Sequence, residues 1–237
     1  MRERAATSRE HLVERMDRPD APEDRLFRTL DQFGVVNRFF TRYRDVLART
    51  VLRDMRRAPD RDWRLADLGA GGCDIPRWLV RCCRREGLRL TVAAVERDPR
   101  ILRYAAAANQ GYPEIELVAA DALDPAAWGR PDFIFANHLL HHLPDEACVE
   151  LLRRIEAQAP ARYVLSDIAR SRWAAAPYAL IVGAFFRGGF LLEDGLASIR
   201  RGFTRADLRL LIARAGLRDE PRLQYRFPFR WIIVGAP

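Results

Sequence analysis

Lysine is missing altogether: all forty basic residues are arginine. A bias this complete reads as coding composition rather than as a binding device. Cysteine is scarce. Cys73, Cys82, Cys83 and Cys148 show no Cys-x-x-Cys spacing, and no neighbouring histidines complete a zinc pattern. That excludes a disulfide framework and a cysteine-based metal site, and a reducing, cytoplasmic setting is expected. Cys82 and Cys83 fall on one predicted helix and read as packing residues. Long apolar runs are also lacking. The longest, Ala174 to Phe186, is interrupted by Pro177 and falls short of the ~20 residues that span a bilayer, so a buried or lid helix is expected there. Residues 1–17 are charged throughout and hold no apolar stretch of a secretory signal. Acids are fewer than bases, for a net charge of +8. The arginines are nevertheless dispersed and interleaved with acids, as between Arg15 and Arg28, so a nucleic-acid partner is not expected.

What is present is an ordinary globular composition, 49% hydrophobic over 237 residues, enough for one α/β domain with an added segment. Residues 1–60 read as helical. Leu26, Phe27, Leu30, Phe33, Val36 and Phe39-Phe40 recur at helical spacing, and Leu47, Val51, Leu52 and Met55 form a second stripe. Neither stripe makes a core alone, so the segment is expected to pack on the main domain. From residue 61 strands and helices alternate. Strands are predicted at 65–68, 90–95, 115–119, 132–136 and 162–166, with helices at 75–85, 99–109 and 145–158 between them. This is βαβ logic and implies a parallel sheet. Thr204-Arg205-Ala206-Asp207 forms a capping box for a helix that ends at Gly216. Two strands follow at about 222–225 and 230–234. The link between them is too short for a crossover, so the pair must be antiparallel.

The densest signal is Leu65-Ala66-Asp67-Leu68-Gly69-Ala70-Gly71-Gly72-Cys73-Asp74. An apolar strand ends in an acid, a glycine-rich turn follows, and a helix begins. Open α/β sheets present a nucleotide-binding edge in this way. A dinucleotide site would carry a third glycine where Asp74 stands. Asp74 is bulky there and negative where a pyrophosphate would sit. Asp67 suits a cation or an ammonium group. The pattern therefore favours a nucleoside ligand with positive charge and no phosphate. Polar residues also close the later strands: Glu96, Asp121, Asn137 and Asp167. Glu96 offers two carboxylate oxygens to a vicinal diol. Asp121 could accept from an exocyclic amine or simply close an Asx turn.

In that order, these residues resemble the class I S-adenosylmethionine-dependent methyltransferases, over most of residues 61–237. Asp67-Leu-Gly69-Ala-Gly71-Gly72 is similar to that family's first motif. Cys73 departs from it, since many members carry another glycine there. The resemblance implies a Rossmann-like, mostly parallel seven-stranded sheet with an antiparallel terminal hairpin. It implies S-adenosyl-L-methionine as cofactor and S-adenosyl-L-homocysteine as product. The implied cofactor contacts are Asp67, Gly69, Ala70, Gly71, Asp74, Glu96 (ribose), Arg97, Asp121 and Ala122 (adenine), Asn137 and His138. A narrower likeness, to bacterial methyltransferases found beside polyketide pathways, rests on 16–20 (Met-Asp-Arg-Pro-Asp), on Ser166-Asp167-Ile-Ala-Arg170-Ser171, and on Asp194-Gly195-Leu-Ala-Ser198-Ile-Arg200-Arg201.

Methyl transfer from a sulfonium needs alignment above all, and a base only if the acceptor keeps its proton. His138, His141 and His142 cluster after the fourth strand. The resemblance turns the His141 position toward the substrate, so His141 is the candidate base, with His138 in reserve. A zinc site is set aside, because three histidines at that junction do not easily converge and no fourth ligand is evident. The expected acceptor is a small aromatic or polyketide-like molecule with a reactive hydroxyl. It would lie under residues 174–202, with Arg170, Asp194 and Arg201 at its polar end and Asn37 and Arg38 closing from the N-terminal segment. Action on RNA or protein is a rival reading. It lacks the Asn/Asp-Pro-Pro-aromatic motif, a suitably placed cysteine or an appended RNA-binding module. A non-catalytic cofactor-binding protein is another rival. A nicotinamide-dependent oxidoreductase is disfavoured by Asp74.

Overall fold

The computed structural model describes residues 12–236. Its centre is a seven-stranded sheet, β1 (Asp62–Leu68), β2 (Arg89–Glu96), β3 (Ile115–Ala119), β4 (Phe133–Asn137), β5 (Arg162–Ile168), β6 (Arg222–Arg226) and β7 (Arg230–Gly235), in the order β3-β2-β1-β4-β5-β7-β6. The first five strands run parallel. Strand β7 pairs antiparallel with β5, and β6 pairs antiparallel with β7. The expected architecture is thus the one observed. The hairpin inserts its second strand between β5 and β6, an order that its sequence does not encode. Strand β1 begins three residues before its apolar run, because Asp62–Arg64 pair with Arg89–Thr91 at the polar rim of the sheet.

The strands bury both faces, as parallel strands do. Trp63 and Leu65 of β1, with Phe133 and Phe135 of β4, pack on one side. There they meet α2 (Tyr43–Arg49), α3 (Val51–Met55) and α4 (Asp74–Glu86). Ala66 and Leu68, with Ile134 and Ala136, pack on the other side against α6 (Asp145–Gln158) and α9 (Arg205–Ala215). Helix α9 opens on the capping box read from the sequence. Thr204 Oγ1 accepts from the Asp207 amide at 3.2 Å and Asp207 accepts from the Thr204 amide at 2.8 Å. After β3 the chain returns to lie beside β1. Successive helices therefore diverge to opposite faces at the β1/β4 boundary, and a crevice opens outside the carboxyl ends of those strands.

Three further helices stand over that crevice: α1 (Glu23–Phe40), α7 (Ala175–Phe185) and α8 (Leu191–Arg201). Val36 of α1, Val182 of α7 and Leu191 of α8 share one small apolar cluster. The apolar run at 174–186 is not a buried helix. Val182 is the buried residue of α7, while Leu180 and Phe185 are largely exposed. Helix α7 packs by one edge onto α1 and α8, and its apolar composition continues around the side that no described residue covers. Gly195 permits the α7–α8 contact, since a Cβ there would lie 1.8 Å from the Tyr178 hydroxyl.

Candidate active site

A cavity of about 650 Å³ fills the crevice, within the range of small-molecule sites. One pole is the glycine turn. Gly69 and Gly71 take φ of +69° and +53°, which glycine adopts without strain. Cys73 also sits in the left-handed region, at φ +58°, capping α4. A glycine would occupy that position at no conformational cost, so the departure from the family motif falls on a real backbone constraint. Asp67, Asp74 and Glu96 line this pole together. Burial pushes the Asp67 carboxyl well above its usual range, and the charges of Asp74 and Glu96 push it further. Burial also raises Asp74 and Glu96. Among the described residues no hydrogen-bond donor reaches the Asp67 carboxylate. Arg77 offsets part of the rise at Asp74. A buried carboxyl raised in this way is favoured in its charged form by a nearby cation, which a ligand with an ammonium or sulfonium group would supply.

Glu96 is braced by backbone. Oε1 accepts from the amides of Arg97 (2.8 Å) and Asp98 (3.0 Å), and Oε2 accepts from Gly71 (3.1 Å). Three of about four lone-pair directions are engaged. One hydroxyl can be accepted on Oε2 directly, and a second requires one of these amides to yield. Asp121 does close an Asx turn, with Oδ1 accepting from Leu123 N at 2.8 Å. Its Oδ2 stays available at the cavity edge, 4.0 Å from the exposed Arg97 guanidinium. Ala70, Ala122, Asn137 and His138 line the cavity as well.

The other pole surrounds His141, in the short 3-10 turn Leu140–His142 after β4. Asp167, at the end of β5, accepts from the His141 amide (3.1 Å) and meets Nδ1 at 2.7 Å. Glu14 faces Nε2 at 3.4 Å. Burial alone would lower the imidazole pKa, but Asp167 and Glu14 outweigh it and hold it at about 9. Burial likewise opposes ionisation of Glu14 and Asp167, yet the imidazolium keeps Glu14 at about 2 and Asp167 well below its usual range. At neutral pH the row is therefore carboxylate–imidazolium–carboxylate. So held, His141 accepts no proton until Nε2 has lost the one that Glu14 and Asp167 stabilise. His138, at φ +61°, lines the cavity beside Arg230, whose Nη1 stands 3.1 and 3.3 Å from its two ring nitrogens. Burial and that guanidinium keep His138 neutral, with a pKa well below the usual value. Arg230 also donates to Asn137 (2.7 Å) and Ser166 (2.8 Å). The carboxylate of Glu14 and the Nε2 atoms of His141 and His142 lie within 4.8 Å of one another. Two histidines thus do converge, around an acid outside the residues read for metal binding. Glu14 stands 3.4 Å from His141 Nε2 and 3.8 Å from His142 Nε2, and Asp17 meets His142 Nδ1 at 3.1 Å, contacts that account for their proximity.

The residues expected at the acceptor's polar end do other work. Asp194 is buried and accepts from the amides of Arg15 (2.6 Å) and Met16 (3.0 Å), anchoring the N-terminal segment. Burial raises its pKa to about 6. Arg201 donates from Nε to the His141 carbonyl at 2.9 Å and lies 3.6 Å from Glu14. Ser198 donates to Glu14 at 2.6 Å. Asp194, Ser198 and Arg201 stand one helical turn apart on α8, so the motif singled out in the sequence is one face that fixes residues 14–16 over His141. Arg170 is turned away to Asp207 (2.9 Å). Asn37 points inward, but to the cofactor pole: it donates to Asp74 at 3.2 Å and accepts from Asn137 at 3.4 Å. Arg38, about 100° further round α1, is exposed and lies over Phe39. Arg38, Arg170, Asp194 and Arg201 are absent from the cavity wall. Glu14 carried no signal of its own, and Asp167 was marked only as a strand-end acid.

A family model described as a methyltransferase domain matches residues 66–158. Demethylsterigmatocystin 6-O-methyltransferase of Emericella nidulans is 30% identical over 190 residues, 79% of this chain and 86% of that enzyme. Among solved structures, human N-acetylserotonin methyltransferase in complex with SAM is similar with a TM-score of 0.60 at 18% identity, over 91% of this chain and 56% of the human one. A SAM-dependent methyltransferase from Aquifex aeolicus is similar with a TM-score of 0.56 at 13% identity, over 88% of this chain and 96% of that one. The chain thus spans most of the fungal enzyme and little more than half of the human structure.

Proposed function

This chain belongs to the class I S-adenosylmethionine-dependent methyltransferases, and on that premise we propose that it methylates a hydroxyl of a small, largely apolar aromatic acceptor. The observation that carries the reading is the polarity of the cavity. Carboxylates crowd the glycine-turn pole. Beyond His141 the wall is formed by Pro177, Tyr178, Ile181, Val182 and Phe229. A flat apolar body matches that wall, and the fungal relative is by its name an O-methyltransferase.

The chain's residues fit the cofactor at the carboxylate pole. Asp67 and Asp74 compensate its positive charge, Glu96 accepts from its ribose, and Asp121 Oδ2 accepts from its adenine amine. When bound, S-adenosylmethionine supplies a methyl group already activated on a sulfonium. The protein's task is then alignment, which can lower a barrier by ~7–11 kcal/mol. Helices α1, α7 and α8 exclude water over the reacting centre. Asp167 holds His141 through Nδ1, and Nε2 takes the acceptor's proton in the fraction of molecules where it has first lost its own to solvent and Glu14 has moved aside. An imidazole held at about 9 is well matched to a phenol near pKa ~10. Arg201 is a positioning residue, since it fixes the His141 carbonyl and touches no cavity.

The test is incubation with donor bearing a trideuterated methyl group and a panel of phenols and resorcinols, with the product located by NMR. The expected product is an aryl methyl ether. Label on carbon or nitrogen, or on none of the panel, overturns the reading.

A further inference from the structure

Five apolar side chains stand out into solvent on or beside the elements that wall the cavity. Trp173, Leu180 and Phe185 are 70%, 76% and 79% exposed, Phe39 is 63% exposed and Phe227 77%. They lie close together in the fold. Helix α7 packs on α1 through Val36 and Val182. The turn that carries Phe227 reaches α7 through Phe229 and Ala174. Phe227 and the half-exposed Ile181 also line the cavity, so this surface borders its entrance. Apolar surface exposed at this density marks an interaction site.

The charge of the same surface is equally one-sided. Residues 32–44, 168–192 and 221–231 contain no acid, in a chain with 32 acids among 237 residues. Arg38, Arg172 and Arg187 are exposed and make no ion pair among the described residues. Arg172 lies 5.0 Å from the Trp173 ring and Arg38 5.5 Å from the Phe39 ring. A short apolar helix flanked by arginine at both ends, with exposed aromatic and aliphatic side chains beside it, offers a membrane interface both apolar area and charge for its phosphates. A second copy of this chain would set arginine against arginine across an apolar contact, which disfavours that occupant.

We propose that the face formed by α7, the C-terminal half of α1 and the 225–229 turn docks on an anionic lipid bilayer. Leu180, Phe185 and Trp173 insert at the headgroup–acyl boundary, and the arginines contact lipid phosphates. No helix of the described residues is long and apolar enough to cross a membrane, and none is needed. The mouth of the cavity then opens toward the lipid, so an amphiphilic acceptor enters without crossing water. The docking stands on the surface alone. Only the delivery of acceptor rests on the function proposed above.

The test is flotation of the full-length protein with phosphatidylcholine vesicles, with and without phosphatidylglycerol. Binding is expected to anionic vesicles only, and to weaken with salt. Arg172→Gln and Arg187→Gln should each weaken it about fivefold. Leu180→Ser with Phe185→Ser should weaken it more than tenfold. None of these residues lines the cavity, so cofactor affinity and turnover of a water-soluble phenol should persist in the variants. Methyl transfer failing while vesicle binding persists would strike the function and not the docking. Absence of vesicle binding overturns the docking outright. If sedimentation then shows a dimer that Leu180→Ser/Phe185→Ser dissolves, the face belongs to a second copy.

Discussion

At the cofactor pole the interacting groups are sequence neighbours: Glu96 accepts from Gly71, 25 positions away. At the acceptor pole they are scattered: Ser198 holds Glu14 across 184 positions. The first pole is a strand–turn–helix unit whose chemistry is written in one stretch of chain. The second is assembled from the N-terminal segment, two strand ends and α8, and it exists only once the fold has closed. Their electrostatics differ as well. At the cofactor pole burial and mutual repulsion hold the carboxyls above their usual range, and a cationic ligand would relieve this. Those at the acceptor pole already enclose a cation, the imidazolium of His141.

That contrast can be broken by substitution. The largest effect is expected for His141→Ala, which should lower kcat by ~10²–10⁴-fold with cofactor affinity nearly unchanged. Calorimetry with S-adenosylhomocysteine, beside turnover, separates the two, and unaltered kcat would remove His141 as the base. Glu96→Ala should weaken cofactor binding by roughly 100-fold, because it also orphans the Gly71, Arg97 and Asp98 amides. Asp67→Asn removes a charge but keeps an acceptor, and about a tenfold loss of affinity is expected. An undiminished affinity there would mean that the carboxylate cluster does not serve the ligand's positive charge. The smallest effect is expected for Arg38→Ala, with kcat and KM within the error of steady-state kinetics, since the side chain faces away from the cavity.

The same contrast explains what could be read from sequence. The parallel strands, the terminal hairpin and the capping box at Thr204 are local patterns of period, turn length and cap chemistry, and each appears where expected. Asp67, Gly69, Gly71, Asp74 and Glu96 were legible because strand ends are where this topology gathers polar groups. Arg38 and Asn37 show the limit. Adjacent on one helix, they point about 100° apart, and only the packing of α1 decides which is inward. Asp194 and Arg201 were expected at the acceptor's polar end, but their partners lie in residues 14–16 and at His141, which α8 alone does not reveal. Of the two readings of the apolar run, buried or lid, the buried one fails, since hydropathy does not say whether a neighbour is there to cover the helix.

The acceptor pole also carries a pH signature. His141 is raised from its ordinary value of 6.5 to about 9, so its contribution to stability is complete below about 6.5 and is lost as pH rises through about 9. Glu14 is lowered from 4.5 to about 2, so its contribution is present above about 4.5 and is lost as pH falls toward about 2. Catalysis by His141 has the opposite demand on its proton, since only the neutral ring accepts one. The most direct measurement is therefore the pH dependence of kcat for the wild type beside Glu14→Gln, with a phenolic acceptor. The wild type should gain activity with a midpoint near 9, and removing the Glu14 charge should move that midpoint down by about one unit or more. A flat profile, or the same midpoint in both proteins, would contradict the account of His141 as a base restrained between two carboxylates.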